Sequence, residues 1–559
     1  MSLPGHKRRT GAVASANKRT KTQEAGGGDA VGVISQGLLE ESNLESLRRA
    51  FAAGAPFPHV VLENVFDDQS LRRAREEVIH NLKADFKETD IFKVFQTGDL
   101  ANYDSCDDGI SNSGDLRAVR DAIYSEGFRT LVQKITTRAV GSQVDCSCNV
   151  YLDGGHLLCH DDVIRTRRVS YILYLTDPDD AWQPEDGGAL ELYPANKETG
   201  EPLVRPSKLI YPAWNSMVVF NVEPGVSYHA VQEVFSGYKR RLSLSGWFHA
   251  DSELPGSEKA TLSQLKMKCG EDVHRLYSEI VPLQAEAKEL ADLGVLRKWV
   301  NAVFLDPAAM DRIYEKFHAE GSIQLQDFLR QDVCKAIKEA LKREEKEALP
   351  QGDTAMQGSL GSTGPWAEIG PPHKQRHMLH TAGGSTSSCG GLLECLKNEL
   401  FRSPAFSQLL HHLTGVRIAG IWTEVRRFRP GLDYTVAHYG AISDDDRLDA
   451  VLCFVDDDSE EDALKWDSGD VGGFEAYLLA DVDGDEQEAP EVYKVDDGDE
   501  SSGVLNISAV SNTLSLVLRD TGLMRFVKYV SASAPSGRWD ISAEYQLQND
   551  ECGGEGSDS

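Results

Sequence analysis

LLCHDD, spanning Leu157–Asp162, carries the first metal-binding signature of the chain. In an extended chain, side chains two residues apart project from one face, so His160 and Asp162 can grip a single ion while Asp161 points away. Cys159, with apolar neighbours before it, reads as strand filler. A third ligand must come from elsewhere. His229 in GVSYHAVQEV (Gly225–Val234) is the candidate, because it follows the strand-like run Ser216–Val222 and the turn signal Pro224-Gly225. Two imidazoles and one carboxylate leave half of an octahedron open, the arrangement in which non-haem Fe(II) takes a chelating cosubstrate and dioxygen.

A dicarboxylic cosubstrate needs an anchor for its far end. In RRLSLSGWF (Arg240–Phe248) the alternation puts Arg241 and Ser243 on one polar face and turns Arg240 away. A planar guanidinium beside a hydroxyl suits a distal carboxylate. Tyr174 in YILYL and Tyr151 ahead of the metal pair offer further hydroxyls. The His-x-acid pair alone is weak, since 15 histidines and 89 acidic residues in 559 give roughly two such triplets by chance. The bland reading is a surface His–Asp pair and a core imidazole. His229 after a strand, and an Arg-x-Ser strand beyond it, make the iron reading the better one. A zinc hydrolase could use the same three ligands but has no use for Arg241.

Outward from this stretch lie short runs at Val144–Tyr151, Arg168–Leu175, Gly188–Tyr193, Lys208–Tyr211, Met217–Asn221, Ala230–Val234 and Arg241–Phe248, bounded by Gly, Pro, Asp and Asn. Ahead of them, Leu38–Ala53, Gln69–Phe86 and Asp115–Thr137 carry apolar residues at helical spacing, and Pro56–Phe66 reads as an entering strand. Helices followed by many short strands predict a mainly β, α+β fold: a double-stranded β-helix, or jelly roll, with helices on one sheet. The expected organisation is a disordered basic tail over 1–40, a catalytic jelly roll over 41–250 and a helical connector over 251–348. A flexible linker with a short ordered island follows over 349–392, then a second, non-catalytic jelly roll over 393–550 and a tail over 551–559.

The second jelly roll rests on echoes of the first. Gly472-Gly473 echoes Gly187-Gly188, Asn512–Val517 echoes Asn215–Phe220, and GRWDISAEY (Gly537–Tyr545) echoes RRLSLSGWF. In this copy His438 is followed by Tyr439-Gly440, so the carboxylate ligand is missing, and Tyr529 reads as the occupant of the His229 place. Arg538, at the Arg241 position, is expected in a structural ion pair. The tandem is therefore read as one active copy and one degenerate copy.

LLCHDD, RRVSYILYL, GGALELY, YPAWNSMVVF, RRLSLSGWFH and the island WAEIGPPHKQRHM together resemble the cytosolic and nuclear 2-oxoglutarate- and Fe(II)-dependent prolyl hydroxylases of the small ribosomal subunit. The resemblance runs from about Leu47 to about Gln546. It implies Fe(II) on His160, Asp162 and His229, 2-oxoglutarate anchored by Arg241 and Tyr174 with Tyr151 and Ser243 assisting, dioxygen, and ascorbate as a supporting reductant. It further implies 3-hydroxylation or 3,4-dihydroxylation of a proline in a small ribosomal subunit protein, links to translation termination or messenger-RNA decay factors, and residence in nucleus and cytoplasm. Iron ligands do not choose a substrate, so another protein side chain or a nucleobase stays open, as does a non-catalytic scaffold in translation.

Composition narrows the classes. No apolar run reaches the ~18 residues of a membrane span, and MSLPGHKRRTG lacks the apolar core of a secretory signal, so neither membrane nor secretion is expected. Ten cysteines without CxxC pairs read as free thiols. Lys7-Arg8-Arg9 and Lys18-Arg19-Thr20-Lys21 resemble a bipartite nuclear import signal, against the plainer reading of a basic tail without an address. The net charge is −31, and Ala441–Glu500 holds 23 acidic residues against three basic ones. That window reads either as solvated loops or as a surface for a basic protein partner, and its sign argues against contact with nucleic-acid backbones.

Overall fold

The computed structural model describes residues 30–105, 114–253, 278–279, 293–348, 364–381, 383, 385–437, 445–479 and 505–548. Both basic clusters, the His438-Tyr439-Gly440 triplet, residues 480–500 of the acidic window and the tail at 551–559 lie outside them. Residues 34–38, expected within the disordered tail over 1–40, are packed into the fold. Ile34 and Leu38 are buried in the first core, and Ser35 N donates to Val65 O.

The first half is one curled antiparallel sheet with helices on its outer face. Its helices are α1 (Glu41–Ala53), α2 (Asp68–Asn81), α3 (Asp115–Tyr124) and α4 (Glu126–Thr136). Its strands are β1 (His59–Glu63), β2 (Asp85–Glu88), β3 (Phe92–Gln96), β4 (Ser147–Tyr151), β5 (His156–His160), β6 (Arg167–Tyr174), β7 (Leu190–Leu192), β8 (Lys208–Ile210), β9 (Ser216–Asn221), β10 (His229–Val231) and β11 (Arg241–His249). They hydrogen-bond in the order β1-β9-β6-β11-β4-β3-β5-β10-β7-β8, with β2 beside β3. Ile172 and Tyr174 of β6 and Val218 and Phe220 of β9 share a core with Leu190, Leu192 and Ile210, from the opposite end of that order. Only a sheet folded over itself can bring those strands together.

Two helix boundaries differ from the periodicity. The run over 115–137 breaks at Ser125, whose hydroxyl accepts from Phe128 N and so caps α4. The run over 69–86 ends at Asn81, and Asp85–Glu88 joins the sheet through β3.

The segment expected as a connector belongs to the second half. Leu296, Phe304, Phe317, Ile337 and Leu341 are buried with Leu393, Phe406, Ile541 and Tyr545 in one core, and β13 (Ser322–Leu325) pairs with β21 (Thr513–Arg519). Amphipathic helices beside a sheet bury their apolar stripe on it, which is why the periodicity could not separate connector from domain. The helical aromatics Trp299, Phe304, Tyr314 and Phe317 read from sequence as core, but Tyr314 is 40% exposed. The island is likewise two strands, β14 (Trp366–Ile369) and β15 (Gln375–His380). β16 (Ile418–Phe428), β18 (Arg447–Phe454) and β23 (Arg538–Leu547) complete the sheet β13-β21-β18-β23-β16-β15-β14. β12 (Ser278–Glu279) pairs with β16 and β17 (Tyr434–Thr435) with β15, while β19 (Glu475–Leu479), β20 (Leu505–Ile507) and β22 (Leu523–Val527) form a third sheet.

Three local constructions occur in both halves. Asn215 and Asn512 both adopt positive φ. Asn215 exchanges side-chain hydrogen bonds with the Phe66 backbone, and Asn512 with that of Leu329. Arg241 Nε donates to Gly188 O, and Arg538 Nη1 to Gly473 O. A Cβ on Gly187 would lie 2.2 Å from Glu233 O, and one on Gly472 would lie 1.8 Å from Tyr529 O. Both turns therefore demand glycine, on space as well as on φ.

Candidate active site

His160 closes β5, and His229 opens β10 directly across the ladder from it. Asp162 does not reach them along an extended chain, as the alternation argument expected. The chain kinks after His160, and Asp162 sits at φ 61°, an uncommon conformation for a residue with a side chain. Asp162 Oδ1 is 3.3 Å from His160 Nε2 and Oδ2 is 3.3 Å from His229 Nε2. Among the described residues these three form the group whose ligand atoms all lie within 4.8 Å of one another. Asp161 turns aside, its Oδ1 accepting from Val163 N.

The protonation pattern suits a cation. His160 Nδ1 faces Leu158 O at 2.8 Å and His229 Nδ1 faces Ser227 O at 2.8 Å. A carbonyl can only accept, so each Nδ1 carries a proton, and each Nε2 is turned into the shared space, where it donates to Asp162 when protonated and offers its lone pair to a cation when neutral. Burial opposes charge on Asp162, but His229 and His160 outweigh it and hold the carboxyl well below its ordinary range. Two residues that the sequence reading missed fix this carboxylate. Trp247 Nε1 donates to Oδ2 at 3.0 Å and Ser170 Oγ at 3.3 Å. Trp247 lies on the Arg241–Ser243 face of β11, so the same alternation could have found it.

The expected cosubstrate residues converge beside the triad. Arg241 is fully buried between Tyr151 and Tyr174, its guanidinium carbon 5.0 and 5.2 Å from their ring centroids. Arg241 Nη2 and Tyr174 Oη are buried without a hydrogen-bond partner. Such orphans are costly unless a ligand satisfies them. Burial pushes the Tyr151 phenol up to about 12 although Arg241 opposes it, so it stays a neutral donor. Ser243 is buried between Asn149 of β4 and Tyr174 of β6 in the ladder. Arg240 is exposed.

Residues 146–249 match the 2OG-Fe(II) oxygenase superfamily, and residues 291–552 match the C-terminal region described as oxoglutarate and iron-dependent oxygenase degradation C-term. The chain is 40% identical to the prolyl 3,4-dihydroxylase OGFOD1 of Ostreococcus tauri, a match covering 88% of this chain and 95% of that protein. The chain belongs to the OGFOD1 family of 2-oxoglutarate- and iron-dependent oxygenases. It is also 28% identical to the prolyl 3-hydroxylase OGFOD1 of Xenopus laevis, over 88% of each chain. Among solved structures it is similar to a Pseudomonas putida prolyl-4-hydroxylase, at 21% identity and a TM-score of 0.27, over 36% of this chain and 98% of that one. The cofactors of the family are Fe(II), 2-oxoglutarate and dioxygen. The residues present fit that set: a two-histidine, one-carboxylate group for the metal and two orphaned donors for a carboxylate.

The second half carries different contents at the corresponding positions. With Arg538 and Gly473 aligned to Arg241 and Gly188, the ladders place Arg525 opposite Tyr477 as His229 stands opposite Leu192. Arg525, and not Tyr529 as the sequence reading had it, therefore takes the His229 place. Asp449 and Glu544 stand where Ser170 and Trp247 stand, and Phe428 stands where Tyr151 does. Arg525 contacts Glu475 at 2.5 Å and Asp449 at 3.5 Å. Arg519 pairs with Asp449 and Glu544, and Arg426 and Arg538 both pair with Asp540. Part of the acidic window is thus internal, since Asp449 and Glu475 are buried here.

Proposed function

We propose that this oxygenase hydroxylates a prolyl residue of a protein at carbon 3, with a second hydroxylation at carbon 4 as the further extent. The observation that carries this reading is the His160–Asp162–His229 group together with the buried, unpaired Arg241 Nη2, in a chain 40% identical to a prolyl 3,4-dihydroxylase. His160, Asp162 and His229 would hold Fe(II), with Trp247 and Ser170 fixing the carboxylate. Arg241 and Tyr174 would anchor the distal carboxylate of 2-oxoglutarate, with Tyr151 and Ser243 lining the same wall. Bound there, iron, 2-oxoglutarate and dioxygen supply the oxidation that places one oxygen atom in a C–H bond, with succinate and carbon dioxide as coproducts. The chain's part is to hold the cosubstrate at one angle and to keep the cavity dry around it.

The substrate we assign is a protein of the small ribosomal subunit, with ascorbate supporting turnover and nucleus and cytoplasm as the sites of action. The resemblance of the motif set supports the substrate, and the Lys7–Lys21 clusters support the address. The second half supports a tandem reading, a degenerate double-stranded β-helix, because the glycine pair, the asparagine turn and the arginine recur while, among the described residues, the His–Asp–His group does not. Its acidic excess suits a basic ribosomal protein or a termination or decay factor. Mass spectrometry after incubation with small-subunit proteins, Fe(II), ascorbate and 2-oxoglutarate tests the assignment. One added oxygen on a proline, or two, is the expected result. Oxygen on another residue type, or no succinate formed, would overturn it.

A further inference from the structure

We infer that Glu233 is a positioning residue for the cosubstrate arginine, through which the second half of the molecule sets the affinity for 2-oxoglutarate. The inference rests on reading Arg241 as the anchor of the distal carboxylate. Glu233 follows β10, and its side chain reaches across to the second half. Its carboxylate is buried across the boundary, where it accepts from Tyr529 Oη at 3.1 Å, Ser531 Oγ at 2.5 Å and Ala532 N at 2.7 Å. Its backbone carbonyl accepts from Gly188 N at 3.0 Å. The Gly188 carbonyl in turn accepts from Arg241 Nε at 2.6 Å. Hydrogen bonds linked through Glu233 and Gly188 thus join three donors of the second half to the Arg241 guanidinium.

The path has little slack. A Cβ on Gly187 would lie 2.2 Å from Glu233 O, and one on Gly188 would lie 2.9 Å from Arg241 Cδ, so the glycine turn is pressed between the two residues it links. Among the described residues Arg241 makes no ion pair; Gly188 O, the faces of Tyr151 and Tyr174 and the neighbouring Tyr174 hydroxyl surround it, with no carboxylate to fix it. Arg538 shows the contrast, because Asp540 fixes its guanidinium at 2.9 Å besides the Gly473 carbonyl. Movement of the Glu233 backbone must therefore reach Nη2 of Arg241, the atom left to meet a ligand.

The test is 2-oxoglutarate binding to the full chain by calorimetry, with Mn(II) in place of Fe(II) and oxygen excluded, so that turnover is not the readout. Glu233→Gln should weaken binding by about fivefold or more and Tyr529→Phe by about twofold, in line with loss of hydrogen bonds to a charged group. Mn(II) affinity and kcat at saturating 2-oxoglutarate should stay at wild-type values, which a general loosening of the fold would not allow. Tyr529→Phe approaches the contact from the other side, so the question stays open to test if Glu233→Gln folds poorly. Wild-type 2-oxoglutarate affinity in both variants, beside a weakened Arg241→Lys control, would overturn the inference alone. Wild-type affinity in Arg241→Lys would remove its premise and the anchor reading with it.

Discussion

In the first half, Arg241 takes the Gly188 carbonyl and leaves Nη2 unpaired beside a cluster of two imidazoles and one carboxylate. In the second half, Arg538 takes the Gly473 carbonyl and then meets Asp540, in a buried network of Arg426, Arg519, Arg525 and Arg538 with Asp449, Glu475, Asp540 and Glu544. The glycine pair, the asparagine turn and the arginine that takes a glycine carbonyl form in both halves, one with the His–Asp–His group and one without it among the described residues. At the ladder position that His229 holds opposite Leu192, the second half has Arg525 opposite Tyr477, paired with Glu475. Burial works against charge on Glu475 and Asp540, yet the guanidiniums hold both carboxyls below their ordinary range. A buried network of this kind is sensitive to loss of any one member.

The sharpest separation of the halves comes from corresponding residues. His229→Ala should abolish succinate formation and iron retention while leaving thermal unfolding close to wild type. Arg525→Ala should do the reverse. It removes the nearest guanidinium from buried Glu475 and one of the two arginines paired with buried Asp449, so denaturant titration should show a loss of about 3 kcal/mol, with one iron per chain still bound by metal analysis of the folded fraction.

Glu233 offers a test by pH. Burial raises its carboxyl from 4.5 to about 7 against the hydrogen bonds from Ser531, Ala532 and Tyr529, and nearby Asp153 adds to the rise. The folded state therefore holds this proton more tightly than the unfolded one. The contribution is fully present below pH 4.5 and is lost as pH rises towards 7. It amounts to about 3 kcal/mol at most. Glu233→Gln should flatten that part of the stability–pH curve, and an unchanged slope would assign it to other groups. Smaller effects are expected nearer the cavity. Arg241→Lys keeps the charge and loses the fork, so 2-oxoglutarate affinity should fall roughly 10-fold or more. Trp247→Phe removes one hydrogen bond to Asp162 and should weaken iron binding by about 10-fold, read by metal titration.

What was legible in the sequence follows the strength of local signals. The strand alternation of β11 put Arg241 and Ser243 on one face, and the same rule extended to Trp247 would have supplied the support of Asp162. His160 and Asp162 were found for a partly wrong reason, since the carboxylate arrives through a left-handed residue that no periodicity encodes. The glycine pairs and the asparagine turns were visible as echoes because each satisfies a backbone demand that few residues meet. Arg525 was hidden because the Gln232–Glu233 stretch is offset against its counterpart, and register is decided by pairing, not by residue counting. The helices over 293–348 were read correctly as helices and wrongly as a connector, because an amphipathic stripe does not say which core it will bury against.

Metal stoichiometry tests the account most directly. The full chain and its His229→Ala and Arg525→Ala variants would be loaded anaerobically with Fe(II), freed of excess metal and assayed for iron. One iron per chain in the parent and in Arg525→Ala, and none in His229→Ala, is the predicted result. Iron retained by His229→Ala, or lost with Arg525→Ala from folded protein, would contradict it.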